Sequence, residues 1–339
     1  MQLVAKIKDI ILLLDKVFER TLSRLFYRFV MVACSNRLIG SRRLNILNYH
    51  RVVTEHDPLQ PDYVTTEQFV KEMQWISTHC TVLPLLNAVI LLKDNKLPHS
   101  AVAITFDDGY ADNYLDALPI LQRFDLPATF FVTVEYLKAA PKWDVFVESI
   151  RHTKQQKIEL KGRCYALTND VKKAYFFQQA VLSIKMLEDE QLNIQLASLV
   201  EQLGAQPPIG LMMDSNMLLS LAGSNNVEIG AHGVHHQILS KVSLAEAFLE
   251  IDKSKRDLES IIQKKVVGQA YPNGVYPIDF HDEHIEMAKK VGYGYAVSTN
   301  LGSVGPTDDL FRMSRIGPWR RDKFGFLLGL AHNYWRGQR

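Results

Sequence analysis

Two short stretches carry residue types that could do hydrolytic chemistry. VEIGAHGVHH, residues 227–236, sets His232 and His236 four apart after an alternating apolar run. One helical turn at the start of an element would bring both rings to one face. AVAITFDDGY, residues 101–110, ends an apolar run on Asp107 and Asp108. Successive side chains of an extended chain point to opposite sides. One carboxylate can therefore face a cation while its neighbour reaches water beside it, and Gly109 lets the backbone turn sharply. Two imidazoles and one carboxylate form a zinc-type catalytic set that leaves positions open for water and substrate. A divalent ion so held lowers the pKa of water to about 7 and polarises a carbonyl oxygen. A spare carboxylate can then serve as general base and a further imidazole as general acid. Taken singly, Asp-Asp-Gly is also an ordinary turn and His-x-x-x-His an ordinary solvated face. Taken together they point to metal-assisted hydrolysis of an acyl group. His235 falls on another side of such a turn, behind the ligands or at the surface.

The surrounding pattern alternates strand and helix from residue 44 onward. LNILNYH (44–50) reads as a buried strand ending in polar groups, and AVAITF (101–106), ATFFVTV (128–134), 227–231, GQAY (268–271) and YAVST (295–299) read as further strands. Residues 65–79 read as a helix with a Thr65/Gln68 capping box and an apolar stripe of Phe69, Met73 and Ile76. A second helix is expected over about 244–265, capped by Ser243 and Glu246, with Leu244, Phe248, Ile251, Leu258 and Ile262 inward. Another runs over 279–291 and stops at Gly292. Residues 140 to about 220 break the rhythm and read as a helical insertion. The fold class is α/β with a mostly parallel sheet, open or closed into a barrel. In either form chemistry collects at the carboxyl ends of strands, which is where His50, Asp107, Asp108 and His232 fall.

The bulk of the chain sets limits. Its 339 residues carry a net charge of only +2, which argues against a nucleic-acid binder. Three scattered cysteines, Cys34, Cys80 and Cys164, argue against a disulfide framework and a cysteine zinc cluster. No signal-peptide core or membrane-spanning run is evident, so a cytoplasmic protein is expected. Residues 1–43 hold nine Lys/Arg and three Asp/Glu, with Ile7, Ile11, Leu14, Phe18, Leu22, Leu25 and Phe29 at helical spacing. A basic amphipathic helix of this kind either packs on its own domain or touches an anionic membrane peripherally. The expected organisation is this N-terminal segment, 1–43, and one catalytic domain, 44–339, with the insertion at about 140–220.

These motifs resemble the NodB-type polysaccharide deacetylases, carbohydrate esterase family 4. TFDDG (105–109) matches the first family motif, HGVHH (232–236) the second with Gly233 in place of a hydroxyl residue, and AYPNG (270–274) the third. The resemblance covers roughly residues 44–318 and implies a distorted (β/α) barrel with fewer than eight strands. It implies Asp107 as general base and Asp108, His232 and His236 as holders of one divalent ion, zinc first, with nickel, iron or cobalt compatible. It implies oxyanion and substrate contacts near Asn273 and Tyr271, the peptide N–H near Asn273 being the oxyanion donor. LNYHRV (47–52) is similar to the branch acting on poly-N-acetylglucosamine, where an N-terminal histidine is the acid, here His50. His332 in GLAHNY is its competitor. Arg315 could orient Asp107, touch sugar or lie at the surface. The implied activity is removal of acetyl from an N-acetylated amino sugar in a polysaccharide or glycolipid. O-deacetylation and non-catalytic glycan binding are the alternatives.

Overall fold

The computed structural model describes residues 42–184, 189–204, 210–318 and 321–337. The basic segment therefore lies outside the described residues, apart from Arg42 and Arg43. Arg43 belongs to the body of the protein: it is buried, with its guanidinium on Asp308 at 2.8 Å and on Ser303.

Seven parallel strands form a nearly closed barrel: β1 Leu44–Tyr49, β2 Ala101–Phe106, β3 Ala128–Val132, β4 Val227–Ala231, β5 Gly268–Ala270, β6 Tyr295–Leu301 and β7 Met313–Arg315. Each pairs with the next, and Ile316 closes the ring by bridging Leu47 of β1. A short strand, Thr81–Val82, pairs with the start of β2 before β3 takes over beside its end. Strands covered on both faces should be apolar without interruption, and every residue of β2 and β3 is buried. Their side chains alternate between two cores. Val102, Ile104, Phe106, Phe130 and Val132 join the helices outside, while Ile46, Ala103, Phe131, Ala270, Val297 and Met313 fill the lumen. The lumen is tight. A methyl on Gly230 would lie 2.3 Å from the Phe131 ring, and one on Gly268 2.4 Å from Tyr295.

The helices follow the sequence pattern, with departures that have local causes. In Thr66–His79, Phe69, Met73 and Ile76 are fully buried. Thr65 caps it by accepting from the Gln68 N–H, but the reciprocal half of the box is missing. The Gln68 amide instead donates to Glu72 and to the Arg321 carbonyl. Leu244–Ile262 has the full Ser243/Glu246 box, yet Leu244 is exposed and Phe248 only half-buried. Its inner stripe is Ala247, Ile251, Leu258 and Ile262, with Glu250 and Ser254 buried among them. Asp282–Val291 ends at a left-handed Gly292 as expected. The segment from 140 contains the helices Lys142–His152, Asp170–Ile184 and Asp189–Leu203 around their own apolar core. It also contains an antiparallel hairpin, Lys157–Leu160 with Arg163–Ala166, hidden from a helical reading by its four-residue strands. Ser215–Gly223, at the far end, packs Leu218 and Leu221 into the main core and belongs to the barrel wall.

Candidate active site

Strand alternation decides what enters the top of the barrel. Asn48, Thr105, Asp107, His232 and Arg315 share the parity of the lumen residues below them, in register across β1, β2, β4 and β7. Asp108, one step on, adopts φ 76° and turns its carboxylate the other way. A left-handed backbone is strained for most residues but is visited by Asp and Asn. Asp108, His236 at φ 58° and Asn273 at φ 57° bring three such residues to the same end of the barrel, a clustering typical of functional sites.

Asp108 meets the two histidines. His232 Nε2 and His236 Nε2 each lie 3.4 Å from Asp108 Oδ1. The rings are 4.8 Å apart and nearly perpendicular. They converge through a bend built on left-handed Gly233 and His236, not through the expected helical turn. Glu250, on Leu244–Ile262, fixes that bend by accepting from the Val234 and His235 N–H groups and from His235 Nδ1. His235 thus faces away from the ligand atoms. His232 Nδ1 donates to the Ala270 carbonyl at 2.9 Å, which turns Nε2 toward Asp108. Tyr136 stacks on His236.

The residues fit a small divalent ion. Asp108 Oδ1 is buried and has no hydrogen-bond partner among the described residues, a costly state unless something cationic completes it. Tetrahedral ligands about 2.0–2.1 Å from zinc stand about 3.3–3.4 Å from one another, the spacing seen from Asp108 to each imidazole. Electrostatics agree. Burial pushes the Asp108 carboxyl up, but His232, His236 and His50 outweigh it and hold the group ionised, well below the usual carboxylate range. Burial brings His236 down to about 4, so this ring is neutral at physiological pH, as a ligand must be.

Asp107 is held separately. Arg315 grips it with a two-pronged fork, Nη1 to Oδ1 and Nη2 to Oδ2, both 2.7 Å. The same guanidinium donates to Asn48, Thr105 and the Ser298 carbonyl. Arg315 is thus a buried partner of Asp107 and not a surface residue. Burial opposes ionisation of Asp107, yet Arg315, His232 and His50 pull its pKa below the ordinary value.

The other candidates divide. His50 is exposed at the rim, and its charge acts on Asp107, Asp108 and His236. Asn273 is exposed, and its peptide N–H donates to no acceptor among the described residues. The Tyr271 side chain is placed differently from the expectation of a substrate contact. It is fully buried, stacks on Phe280 at 3.8 Å and donates to the Phe311 carbonyl, because residue 271, one step past lumen-facing Ala270, falls in the outer core. His332 sits exposed on the C-terminal helix Lys323–Arg336, lining a separate cavity of about 610 Å³ beside Ile316 and Phe324. Sequence reasoning missed Arg51, Tyr110, Asp112, Asn113, Tyr136 and Asp144 around the site. Asp112 and Asn113 follow Asp108 by four and five positions, and Arg51 adjoins His50, so proximity in sequence was the available signal.

Known proteins share this architecture. Residues 94–296, more than half of the chain, match the polysaccharide deacetylase family. YxkH of Bacillus subtilis (strain 168), named for polysaccharide deacetylases, is 32% identical over 276 residues, covering 81% of this chain and 71% of that protein. The poly-β-1,6-N-acetyl-D-glucosamine N-deacetylase of Staphylococcus epidermidis is 24% identical over 284 residues, covering 80% and 77%. Among solved structures, the Streptococcus pyogenes deacetylase PplD superposes with a TM-score of 0.59 at 17% identity, over 87% of this chain and 99% of that one. IcaB from Ammonifex degensii superposes at 0.53 with 14% identity, over 87% and 97%. A matching family profile, a relative sharing a third of its residues and a common barrel agree: this chain belongs to the polysaccharide deacetylase family and is a carbohydrate deacetylase.

Proposed function

We propose that the chain removes acetyl groups from an N-acetylated amino sugar of a polysaccharide or glycolipid, with one divalent ion, zinc first, held by Asp108, His232 and His236. The observation that carries this reading is the division of labour between adjacent acids: Asp108 joins two imidazoles, while Arg315 holds Asp107 apart from them. A bound ion lowers the pKa of water and polarises the acetyl carbonyl. Asp107, kept ionised and oriented by Arg315, accepts the proton of the attacking water. The Asn273 N–H donates to the oxygen on which negative charge develops. His50, at the rim, gives a proton to the departing amine. The name of the Staphylococcus epidermidis relative supports an amide-linked acetyl group. That every one of these positions is filled speaks against a glycan-binding protein without activity.

The test is acetate release from matched N-acetyl and O-acetyl glucosamine oligomers by wild type, Asp107→Asn and Asp108→Ala. Loss of a general base typically costs about 10²–10⁴-fold; that loss is expected for Asp107→Asn, and Asp108→Ala, which removes a holder of the ion, is expected to lose activity with it, with wild type preferring the N-acetyl series. Preference for the O-acetyl series would move the assignment to an ester. Near-wild-type turnover in either variant would refute the role assigned to the residue it replaces.

A further inference from the structure

The loop that follows β1 carries His50, yet among the described residues no hydrogen bond of the His50 side chain fixes it. Its backbone is fixed instead, from two directions. Asn113 Nδ2 donates to the His50 carbonyl at 2.8 Å. Asp112 accepts from Arg51 Nε at 2.8 Å, from the Val52 N–H at 3.2 Å and from Asn113 at 3.0 Å. Asp112 lies four residues after Asp108, so a short rigid path runs from the ligand carboxylate to the backbone of His50. Two bonds from residues 51 and 52 to the buried Asp112 carboxylate, and one from Asn113 to the carbonyl of residue 50, hold residues 50–52 against that path.

The second direction is the insertion. The Arg51 guanidinium lies over the rings of Tyr63 and Tyr110, at 5.3 and 5.1 Å. It also approaches Glu148 of Lys142–His152 at 3.9 Å. Arg151 of the same helix pairs with both Glu148 and Asp57. Leu59, from the loop itself, is buried in the insertion's own core beside Phe146 and Ile150. Residues 51–63 are thereby seated on the insertion at two polar points and one apolar point.

From this geometry we infer that Asp112 is a positioning residue for His50, and that the insertion braces the loop bearing that histidine. The inference rests on the acid role of His50. A proton donor must stay within hydrogen-bond reach of the leaving group, and a displacement of about 1 Å can cost on the order of 10²-fold. Asp112 and Leu59 touch no reacting atom. They act through the placement of residue 50.

A kinetic double-mutant cycle separates this from general destabilisation. Asp112→Ala and Leu59→Ala are each made in the wild-type and His50→Ala backgrounds, with kcat, KM, melting temperature and zinc content measured. The expected result is a loss in kcat of about 10- to 100-fold for Asp112→Ala in the wild-type background, with KM little changed and one zinc ion retained. In the His50→Ala background the same change costs less than about 2-fold, since there is no acid left to misplace. Leu59→Ala shows the same non-additivity at smaller amplitude. Equal losses in both backgrounds would overturn the inference and leave the acid role of His50 standing. Wild-type turnover in His50→Ala would remove the acid role, and the inference with it.

Discussion

Arg315 and Lys would carry the same charge at the bottom of the site, but only a guanidinium can meet both oxygens of Asp107 while also donating to Asn48 and Ser298. An ammonium is a point charge on a flexible stem. Arg315→Lys is therefore expected to lower kcat by about 10-fold or more while zinc content holds, because Asp107 loses its orientation and Asp108 keeps its partners. Wild-type kcat in that variant would show the fork to be structural only. At this scale the sequence is most legible where function depends on residue type. Asp107, Asp108, His232 and His236 can be named from spacing. The bend that joins the two histidines cannot, because it depends on Glu250, fourteen residues beyond His236, accepting from two peptide N–H groups. Nor can the fate of Tyr271, whose ring turns into the outer core and stacks on Phe280, nine residues on.

Period-two alternation is the physical reason that distant elements supply one site. It sends Thr105 and Asp107 into the lumen with Ile46 and Ala103 beneath them, and it does the same for His232 above Gly230. The cost of that arrangement is tolerance. Phe131 fills the space a side chain at 230 would need, so Gly230→Ala is expected to destabilise the fold by about 1–3 kcal/mol, read as a lowered melting temperature. Unchanged melting would mean the lumen can relax around an added methyl. Strong strands such as AVAITF are readable because both faces are buried. The hairpin at 157–166 is not, since four-residue strands with exposed Glu159 and Cys164 carry too little periodicity to separate from helix. Spacing alone places Leu244 inward, yet the buried stripe of that helix starts at Ala247.

Across the whole molecule, one buried acid outside the site should mark the pH profile of stability. Glu72 is fully buried, between the Tyr49 hydroxyl at 2.7 Å and the Gln68 amide at 2.9 Å. Burial pushes its carboxyl up from 4.5 to about 7, against the pull of those two hydrogen bonds. The folded chain thus keeps a proton that the unfolded chain releases. The stability from this group is whole below about pH 4.5 and is lost as pH rises through about 7, by at most about 3 kcal/mol. Glu72→Gln cannot titrate, so its melting temperature should decline less than that of wild type between about pH 5 and pH 8. Parallel curves would place the proton elsewhere. The barrel itself is legible from the alternation of strands and helices together with the motif order. Its closure through Ile316 and Leu47 is not, because that contact joins the two ends of the domain.

The central claim is that one ion is held by Asp108, His232 and His236, with Asp107 beside it but not holding it. The direct measurement is metal content of purified wild type, Asp107→Asn, Asp108→Ala and His232→Ala after equilibration with limiting zinc. One ion per chain in wild type and Asp107→Asn, with little in the other two, is the predicted result. An ion retained by Asp108→Ala, or lost equally by Asp107→Asn, would contradict it.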